Sequence, residues 1–393
     1  MSRIKMLLSW NTLMGIPQIL FLYIPFWIVS CFYKKNIWLF SERPSDARDN
    51  GYVLYKWVKE NVKSQKVIYV IRKKSSDYKK VESLGEVINY GSLKHWYYYF
   101  TAEVICSTDW NICCPNDITF LAMRNILPPK NKRVFLQHGI TKDFMAQGLK
   151  SKLKSDLFVC GAYPEYEYVN RNFGYKNDEV QYLGFPRFDN LIDMSSMNNY
   201  ILFMPTWRIF IADSNFIDTQ YYKKIQSLLT SRSLLNFLQN ENLTLIYFLH
   251  PAIKNKKKFF KQFESKHIKI VSNDDCDMQH YICSAKMLIT DYSSIYFDFA
   301  YQNKPVIYYQ YDYEDYRDRH YSEGYFSYEN DGFGPICKDE EDLIQNVVII
   351  SKDWIVQEKY LDRIKRFFPV RDKNNCLRNF HAIKTLTDCK LIQ

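Results

Sequence analysis

At 393 residues the chain is longer than one typical hydrophobic core requires, so two domains of similar size are expected. Hydrophobic residues make up 47% of it, including 32 Tyr and 27 Phe, and this composition excludes a disordered scaffold. The formal charge of +10 indicates an anionic partner, which could be a phosphate-bearing substrate, an anionic lipid or nucleic acid. The 10 Cys form no C-x-x-C pair, which argues against structural zinc and fits reduced cytosolic thiols.

The N-terminal residues 6–33 contain no Lys, Arg, Asp or Glu and are long enough to cross a bilayer. Polar or helix-breaking residues interrupt this segment at Asn11, Pro17, Gln18 and Pro25. Basic residues flank it on both sides, Arg3 and Lys5 before it and Lys34 and Lys35 after it. Symmetric flanks favour a kinked segment that lies in the interface on the inner, anionic face of a membrane. An amphipathic first helix packed on the protein body is the alternative.

After residue 35 the pattern alternates between short apolar strands and helices, which predicts two mainly parallel sheets covered on both faces. Strands are predicted in the first half at 37–40, 67–71, 104–106, 134–136 and 157–160, with a helix at 52–62. Strands are predicted in the second half at 200–204, 243–249, 268–271, 287–289 and 306–309, with helices near 221–239 and 340–351. The fold class is therefore α/β with two facing Rossmann-like, doubly wound domains and a cleft between them. Expected bounds are a membrane-associating segment at 1–35, a first domain at 36–195 and a second domain at 196–393.

Ligands of such sheets bind beyond the carboxyl ends of the strands, so polar residues that directly follow a strand are the candidates for chemistry. His138-Gly139 follows one strand, and a histidine there can act as a general base, although a lone histidine is more often structural. His250-Pro251 follows a strand of the other half, where a turn residue is the alternative. Thr206 and Arg208 follow a third strand, and the guanidinium could hold phosphate or form a surface ion pair.

The most specific local pattern runs from Met287 to Ser294, where a strand leads through Asp291 into a predicted helix that begins with Ser293 and Ser294. Hydroxyls and backbone N–H groups at such a helix start suit a diphosphate, although Ser293 could merely cap the helix. Asp291 is expected to orient the hydroxyls or the loop. Further along, Glu323-Gly324 could contact ribose hydroxyls.

In this order, the motifs H-G, P-T-W-R, H-P, T-D-Y-S-S-x-x-F-D-F, K-P-x-x-Y-Y, E-G-Y and G-P resemble the CDP-glycerol glycerophosphotransferase family, the teichoic-acid and capsule enzymes of the TagB/TagF type. The resemblance runs from His138 to Pro335 and more weakly to 372–378. It implies a GT-B fold, peripheral attachment to the inner membrane face and no tightly bound metal.

The resemblance also implies roles for the candidate residues. His138 would be the base and His250 a donor-phosphate ligand or second acid/base group. Asp291, Ser293 and Ser294 would hold the pyrophosphate of CDP-glycerol or CDP-ribitol, with Thr206, Arg208, Glu323 and Gly324 around it. The acceptor would be a lipid-linked teichoic acid or capsular polysaccharide.

Two departures from the family pattern leave the acceptor's identity open. The usual W-H-G-T-P-L-K reads Q-H-G-I-T-K-D at 137–143, and Glu323-Gly324 replaces a frequent Arg-Gly. A nucleotide-sugar glycosyltransferase on the same fold is the alternative function. A non-enzymatic anion-binding protein is a second rival, but no nucleic-acid-binding motif appears, so no nucleic-acid partner is expected.

Overall fold

The computed structural model describes residues 15–208, 215–319 and 322–388, and it folds into two α/β units. Residues 6–14 of the predicted membrane segment lie outside the described residues. The strands are β1 Lys35–Ser41, β2 Lys66–Ile71, β3 Val87–Asn89, β4 Ala102–Ser107, β5 Lys132–Phe135, β6 Leu157–Cys160, β7 Val180–Tyr182, β8 Tyr200–Phe203, β9 Thr244–Phe248, β10 Ile268–Val271, β11 Ala285–Thr290, β12 Val306–Tyr309 and β13 Ile336–Cys337.

The α-helices alternate with these strands for most of the chain. They are α1 Ile24–Phe32, α2 Asn50–Asn61, α3 Tyr78–Glu82, α4 Leu93–Thr101, α5 Asp117–Met123, α6 Lys150–Leu153, α7 Tyr163–Asn172, α8 Gln220–Thr230, α9 Arg232–Asn240, α10 Met278–Ser284, α11 Tyr296–Tyr301, α12 Tyr313–Arg319, α13 Tyr328–Asp331, α14 Glu340–Ile350, α15 Glu358–Phe367 and α16 Asn375–Asp388. Polar side chains cap the first turns of several, because they accept from N–H groups that have no partner inside the helix, as Asp49 does for α2 and Thr219 for α8.

Each unit is built on one parallel sheet. The N-terminal sheet has the order β3-β2-β1-β4-β5-β6-β7, and the C-terminal sheet has the order β10-β9-β8-β11-β12-β13. Neighbouring strands in both sheets are parallel. The strand order reverses between β1 and β4 in one sheet and between β8 and β11 in the other, which is the doubly wound arrangement. The predicted fold class is confirmed.

The central strands were predicted to within about two residues of their bounds, and the edge strands β3, β7 and β13 were missed. One long helix was expected near 221–239, but the backbone leaves the helical region at Ser231 and divides the segment into α8 and α9. Residues 254–258 are four lysines and one asparagine. They lie in a 3-10 helix, Pro251–Phe259, where Lys254 and Lys257 form ion pairs with Asp274 and Asp275.

Residues 15–32 form one helical stretch that contains a π-turn at Ile19–Tyr23, just before Pro25. By length and composition this stretch could cross a membrane. One face packs on α4, where the Tyr23 ring contacts Phe100, and the Tyr23 hydroxyl donates to the carbonyl of Leu127 at 2.8 Å. The opposite face leaves Phe21 76% and Phe32 87% exposed. The helix is therefore packed on the protein body along one side and presents apolar side chains on the other.

The last helix returns to the N-terminal unit. The Phe380 ring of α16 lies 5.3 Å from that of Trp38 and 5.8 Å from that of Trp57, and Arg378 donates to the carbonyl of Leu183 at 2.9 Å. The predicted domain bounds stay a prediction, and within the segment 196–393 the helix α16 packs on the other unit. One continuous buried core therefore contains Trp38, residues of both units and residues of α16.

Candidate active site

The strand-end loops of the two sheets lie next to each other. A Cβ built on Gly139, directly after His138, would lie only 2.7 Å from the Oγ of Ser294. The structure thus brings the histidine loop of the N-terminal unit into contact with the serine loop of the C-terminal unit. Since ligands of doubly wound sheets bind where the strand order reverses, the segments after β8 and β11 lie at the expected place.

The His138 loop is held in an uncommon backbone conformation. Gln137 has φ of +59°, which an L side chain adopts only when its surroundings enforce it. The Gln137 side chain is buried and donates to the carbonyl of Val159 at 2.6 Å, while the Gln137 carbonyl accepts from Nδ2 of Asn50 at 2.9 Å. These contacts turn the next residue outward, and the His138 side chain is 63% exposed.

Asp49 contacts the His138 ring from the N-terminus of α2. Its Oδ2 lies 2.6 Å from Nδ1 of His138, and its Oδ1 lies 3.0 Å from Nη1 of Arg187. Burial disfavours the charged carboxylate, but Arg187 and then His138 outweigh it and lower the pKa of Asp49. An ionised carboxylate can only accept, so Nδ1 carries the proton and Nε2 is left with a free lone pair. That is the form of histidine that can take up a proton.

Arg187 joins this pair to the C-terminal unit. It forms a bidentate contact with Asp298 of α11, at 2.9 Å and 3.1 Å, and its Nη1 also donates to the carbonyl of His138 at 3.0 Å. Burial alone would lower the pKa of Arg187, but Asp298 and Asp49 raise it, so the guanidinium keeps its charge. One buried cation therefore links the histidine loop, the start of α2 and the helix that follows the two serines.

The serine loop differs from its prediction in one respect. The helix α11 begins at Tyr296, not at Ser293, because the preceding turn is closed by i→i+3 bonds from Phe297 to Ser294 and from Asp298 to Ile295. Ser293 and Ser294 are half-buried in the loop before the helix. The Oγ of Ser293 lies 3.5 Å from the N–H of Ile295, which is at the limit of a hydrogen bond, so capping accounts poorly for this serine.

Arg208 is fully buried and is not a surface ion-pair partner. Its Nε and Nη2 donate to the two carboxylate oxygens of Asp312 at 2.7 Å and 2.9 Å, and its Nη1 lies 2.9 Å from Oδ2 of Asp291. Burial opposes the charge, but Asp291 and Asp312 hold the pKa of Arg208 well above its usual range. The rings of Tyr292 and Tyr316 lie 5.0 Å and 5.2 Å from the guanidinium carbon. Both aspartates already occupy the guanidinium. Direct contact of Arg208 with phosphate stays a prediction.

Asp291 and Thr206 are brought together as expected. The Oδ1 of Asp291 accepts from the backbone N–H groups of Thr206 at 2.8 Å and Tyr292 at 2.5 Å, so this carboxylate orients both loops. The Oγ1 of Thr206 is buried and has no hydrogen-bond partner among residues 15–208, 215–319 and 322–388. A buried hydroxyl of this kind is costly unless a ligand or water satisfies it.

His250 is in the opposite tautomeric form to His138. Its Nδ1 accepts from the N–H of Ala252 at 3.2 Å, so the ring proton sits on Nε2, and the ring stacks on Trp207 at a centroid distance of 6.2 Å. Burial, together with the charges of Arg43 and His138, lowers the pKa of His250 to about 4. His250 is therefore a neutral hydrogen-bond donor at physiological pH.

Glu323 and Gly324 lie at a second contact between the units. A Cβ on Gly324 would lie 2.2 Å from the carbonyl of Lys142, so the two loops approach too closely for any side chain. Lys142 and Asp143 form a buried ion pair, and Arg317 contacts Asp143 at 2.7 Å. Burial lowers the pKa of Lys142.

A cavity of about 770 Å³ opens in the C-terminal unit beside this contact. Its lining includes Glu323, Gly324, Tyr311, Asp312 and Lys338. His138, His250 and the two serines are not among its lining residues. Glu323 thus lines a hollow of the C-terminal unit whose lining does not include the serine loop.

Sequence reasoning missed Asp49 and the site role of Arg187, which lie far along the chain from His138. Asp49 has a local signal, because an aspartate before the helical run of α2 marks a helix start, but that signal indicates capping only. Within the described ranges no group of three or more His, Cys, Asp or Glu is arranged to hold a metal ion.

Two doubly wound units whose strand-end loops meet define the chain as a GT-B-type α/β protein. It belongs to the CDP-glycerol:poly(glycerophosphate) glycerophosphotransferase family, whose model matches residues 22–384. The family resemblance of the motifs is confirmed.

Relatives and solved structures agree with this assignment. The chain is 31% identical over 384 residues to the minor teichoic acid biosynthesis protein GgaB of Bacillus subtilis, covering 93% of this chain and 41% of that protein. It is 30% identical over 203 residues to the teichoic acid glycerol-phosphate primase of the same species, covering 49% of each. The chain spans about half the length of the curated relatives it matches.

Among solved structures, the wall teichoic acid polymerase TagF is similar in fold, with a TM-score of 0.69, 17% identity and 98% of both chains covered. MnaA of S. aureus, in a co-structure with UDP, has a TM-score of 0.56 at 14% identity and covers 90% of this chain and 97% of its own. Both similarities concern the fold.

Proposed function

We propose that the chain transfers glycerol phosphate or ribitol phosphate from a CDP-alditol to a hydroxyl of a lipid-linked teichoic acid or capsular polysaccharide, with release of CMP. The observation that carries the proposal is the contact of Gly139 with Ser294, which joins the base loop and the serine loop of opposite units. Membership in a glycerophosphotransferase family supports the reaction class.

In the proposed reaction His138 acts as the general base. Its free Nε2 takes the proton of the acceptor hydroxyl while the hydroxyl oxygen attacks the distal phosphorus of the CDP-alditol. The bond from that phosphorus to the bridging oxygen breaks, and CMP leaves with the electron pair. Little covalent chemistry is left to the protein, because positioning and electrostatics supply most of the acceleration in phosphoryl transfer.

The donor diphosphate is proposed to lie against the loops after β8, β9 and β11. His250 donates from Nε2 as a neutral ligand, and the hydroxyls of Thr206, Ser293 and Ser294 supply further donors. Asp291 and Arg208 hold the two loops in place, and Glu323 with Gly324 borders the hollow next to the donor. Charge developing on the leaving CMP is then met by donors that are already oriented.

Attachment to the cytoplasmic face of the cell membrane is proposed for the stretch 15–32. The exposed Phe21 and Phe32 would enter the lipid, while Tyr23 keeps the helix on the protein body. Lys34 and Lys35 follow directly and suit anionic headgroups. A helix held in this way lies in the interface and brings the site to a lipid-linked acceptor.

The test is release of CMP, measured by chromatography, from CDP-glycerol and from CDP-ribitol with a membrane extract as the acceptor source. We expect CMP from at least one donor, and His138→Ala should lower the rate about 10²–10⁴-fold while donor binding persists. His280→Ala, on the exposed face of α10, is the matched control. Release of a nucleoside diphosphate from a nucleotide sugar would instead favour a glycosyltransferase, and an unchanged rate in His138→Ala would refute the base.

A further inference from the structure

The His138 side chain projects into solvent, yet one of its ring nitrogens is already engaged. Nδ1 lies 2.6 Å from Oδ2 of Asp49, and the Asp49 side chain is only 15% exposed against 63% for His138. The contact between this carboxylate and the exposed imidazole is therefore a short, charge-assisted hydrogen bond.

We propose that Asp49 is a positioning residue for His138, which fixes the proton on Nδ1 and directs Nε2 at the acceptor hydroxyl, and that Arg187 keeps Asp49 in place. The inference rests on the proposed function. Asp49 touches neither substrate nor the reacting atoms, and it acts through the orientation of the histidine ring.

The two carboxylate oxygens of Asp49 have separate partners. Oδ1 accepts from the N–H of Asn50 at 2.8 Å and from Nη1 of Arg187 at 3.0 Å, whereas Oδ2 contacts His138. The Asp49 N–H donates to Oε1 of the buried Glu42 at 2.9 Å. The carboxylate therefore has little rotational freedom, and Oδ2 has a single direction, toward the imidazole.

A purely structural role for Asp49 is helix capping, and the chain allows that role to be separated from positioning. Asn and Ser cap helices about as well as Asp, so Asp49→Asn and Asp49→Ser retain a cap for α2. Asn removes the charge that binds the Nδ1 proton, and Ser is too short to reach the ring. Both variants are expected to fold, because α2 keeps a cap and Arg187 keeps its bidentate contact with Asp298, but to lose the fixed tautomer.

The kinetic test measures kcat and KM for CMP release in the wild-type chain, Asp49→Asn and Asp49→Ser. We expect kcat to fall about 10²-fold or more, without exceeding the loss in His138→Ala, and KM for the donor to change less than threefold, as for loss of a group that acts only through the base. In the His138→Ala background Asp49→Asn should cause no further loss, because its effect passes through the absent imidazole. A further loss there, or a kcat within threefold of wild type in the single variant, would overturn the proposal.

Asp77→Asn is the matched control. Asp77 is also a buried aspartate that pairs with an arginine, Arg48, at 2.8 Å, but it does not contact His138. This variant should leave kcat within about threefold of wild type. An equal loss of kcat in Asp77→Asn would mean that any broken ion pair on this edge lowers the rate, and it would overturn the specific role of Asp49.

A second readout does not need turnover. Nitrogen-15 spectra of histidine-labelled protein report which ring nitrogen carries the proton, and His138→Gln assigns the signal. We expect Nδ1–H in the wild-type chain and a shift toward Nε2–H in Asp49→Asn. An unchanged tautomer would refute the positioning role even in an active enzyme, whereas a correct tautomer in a chain that releases no CMP would leave it standing and refute only the proposed reaction.

Discussion

The buried guanidinium of Arg208 allows a sharp test of what this residue does. Arg208→Met keeps the length of the side chain but leaves the carboxylates of Asp291 and Asp312 facing each other in a site where all three side chains are 5% exposed or less. The local charge changes from about −1 to −2 without solvent to screen it. Removing one partner of such a buried pair typically costs about 3–5 kcal/mol.

We expect Arg208→Met to lower the free energy of unfolding of the C-terminal unit by that amount. The measurement is urea unfolding followed by tryptophan fluorescence, for which Trp207 is adjacent. Adding Asp312→Asn should recover part of the loss, because one of the two unpaired charges is removed. Arg171→Met, which breaks an exposed pair with Glu167, is the control and should stay within about 0.5 kcal/mol of wild type.

The opposite pattern would refute a scaffolding role. If Arg208→Met left the free energy of unfolding within 1 kcal/mol of wild type, on the scale of ordinary surface changes, and raised KM for CDP-glycerol about tenfold, Arg208 would be a direct ligand of the donor. The distances to Asp291 and Asp312 argue for the first outcome.

Two further predictions concern the donor and the membrane. The pKa of His250 should be found near 4 in the free chain by NMR titration, and CDP should raise it because a diphosphate stabilises the imidazolium, whereas a midpoint near 6.5 would contradict its burial. Since the unfolded chain binds the extra proton first, His250 should also reduce stability as pH falls from about 6.5 toward 4. Phe21→Asp and Phe32→Asp should each weaken co-sedimentation with phosphatidylglycerol vesicles about tenfold or more, as expected for about 1.5–3 kcal/mol per buried ring. Ile355→Asp, an exposed apolar residue elsewhere, should have no effect, and equal weakening there would contradict the membrane assignment.

The alternation of strands and helices could be predicted because the central strands are buried on both faces. A strand such as β6, Leu157–Cys160, is buried along its whole length and therefore reads as an uninterrupted apolar run. The edge strands β3, β7 and β13 have three, three and two residues, too few for a period to emerge. The break at Ser231 was missed because no Gly or Pro interrupts 221–239 to mark the end of a helix.

The candidate side chains His138, His250, Asp291 and the serines could be named from the sequence because each follows an apolar run, and in parallel sheets such positions share one edge. Local sequence therefore determined which polar residues lie at the carboxyl ends of the strands.

Only the tertiary structure decided how these residues are used. Asp49 and Arg187 reach His138 across 89 and 49 residues of chain, through a strand order that no local pattern encodes. From the sequence alone Arg208 could bind phosphate, but in the structure aspartates and tyrosines from distant segments surround its guanidinium. Burial and charge pairing are properties of the packed chain, because they depend on which surfaces meet, and they separate a residue that binds a ligand from one that holds the binding loop in place.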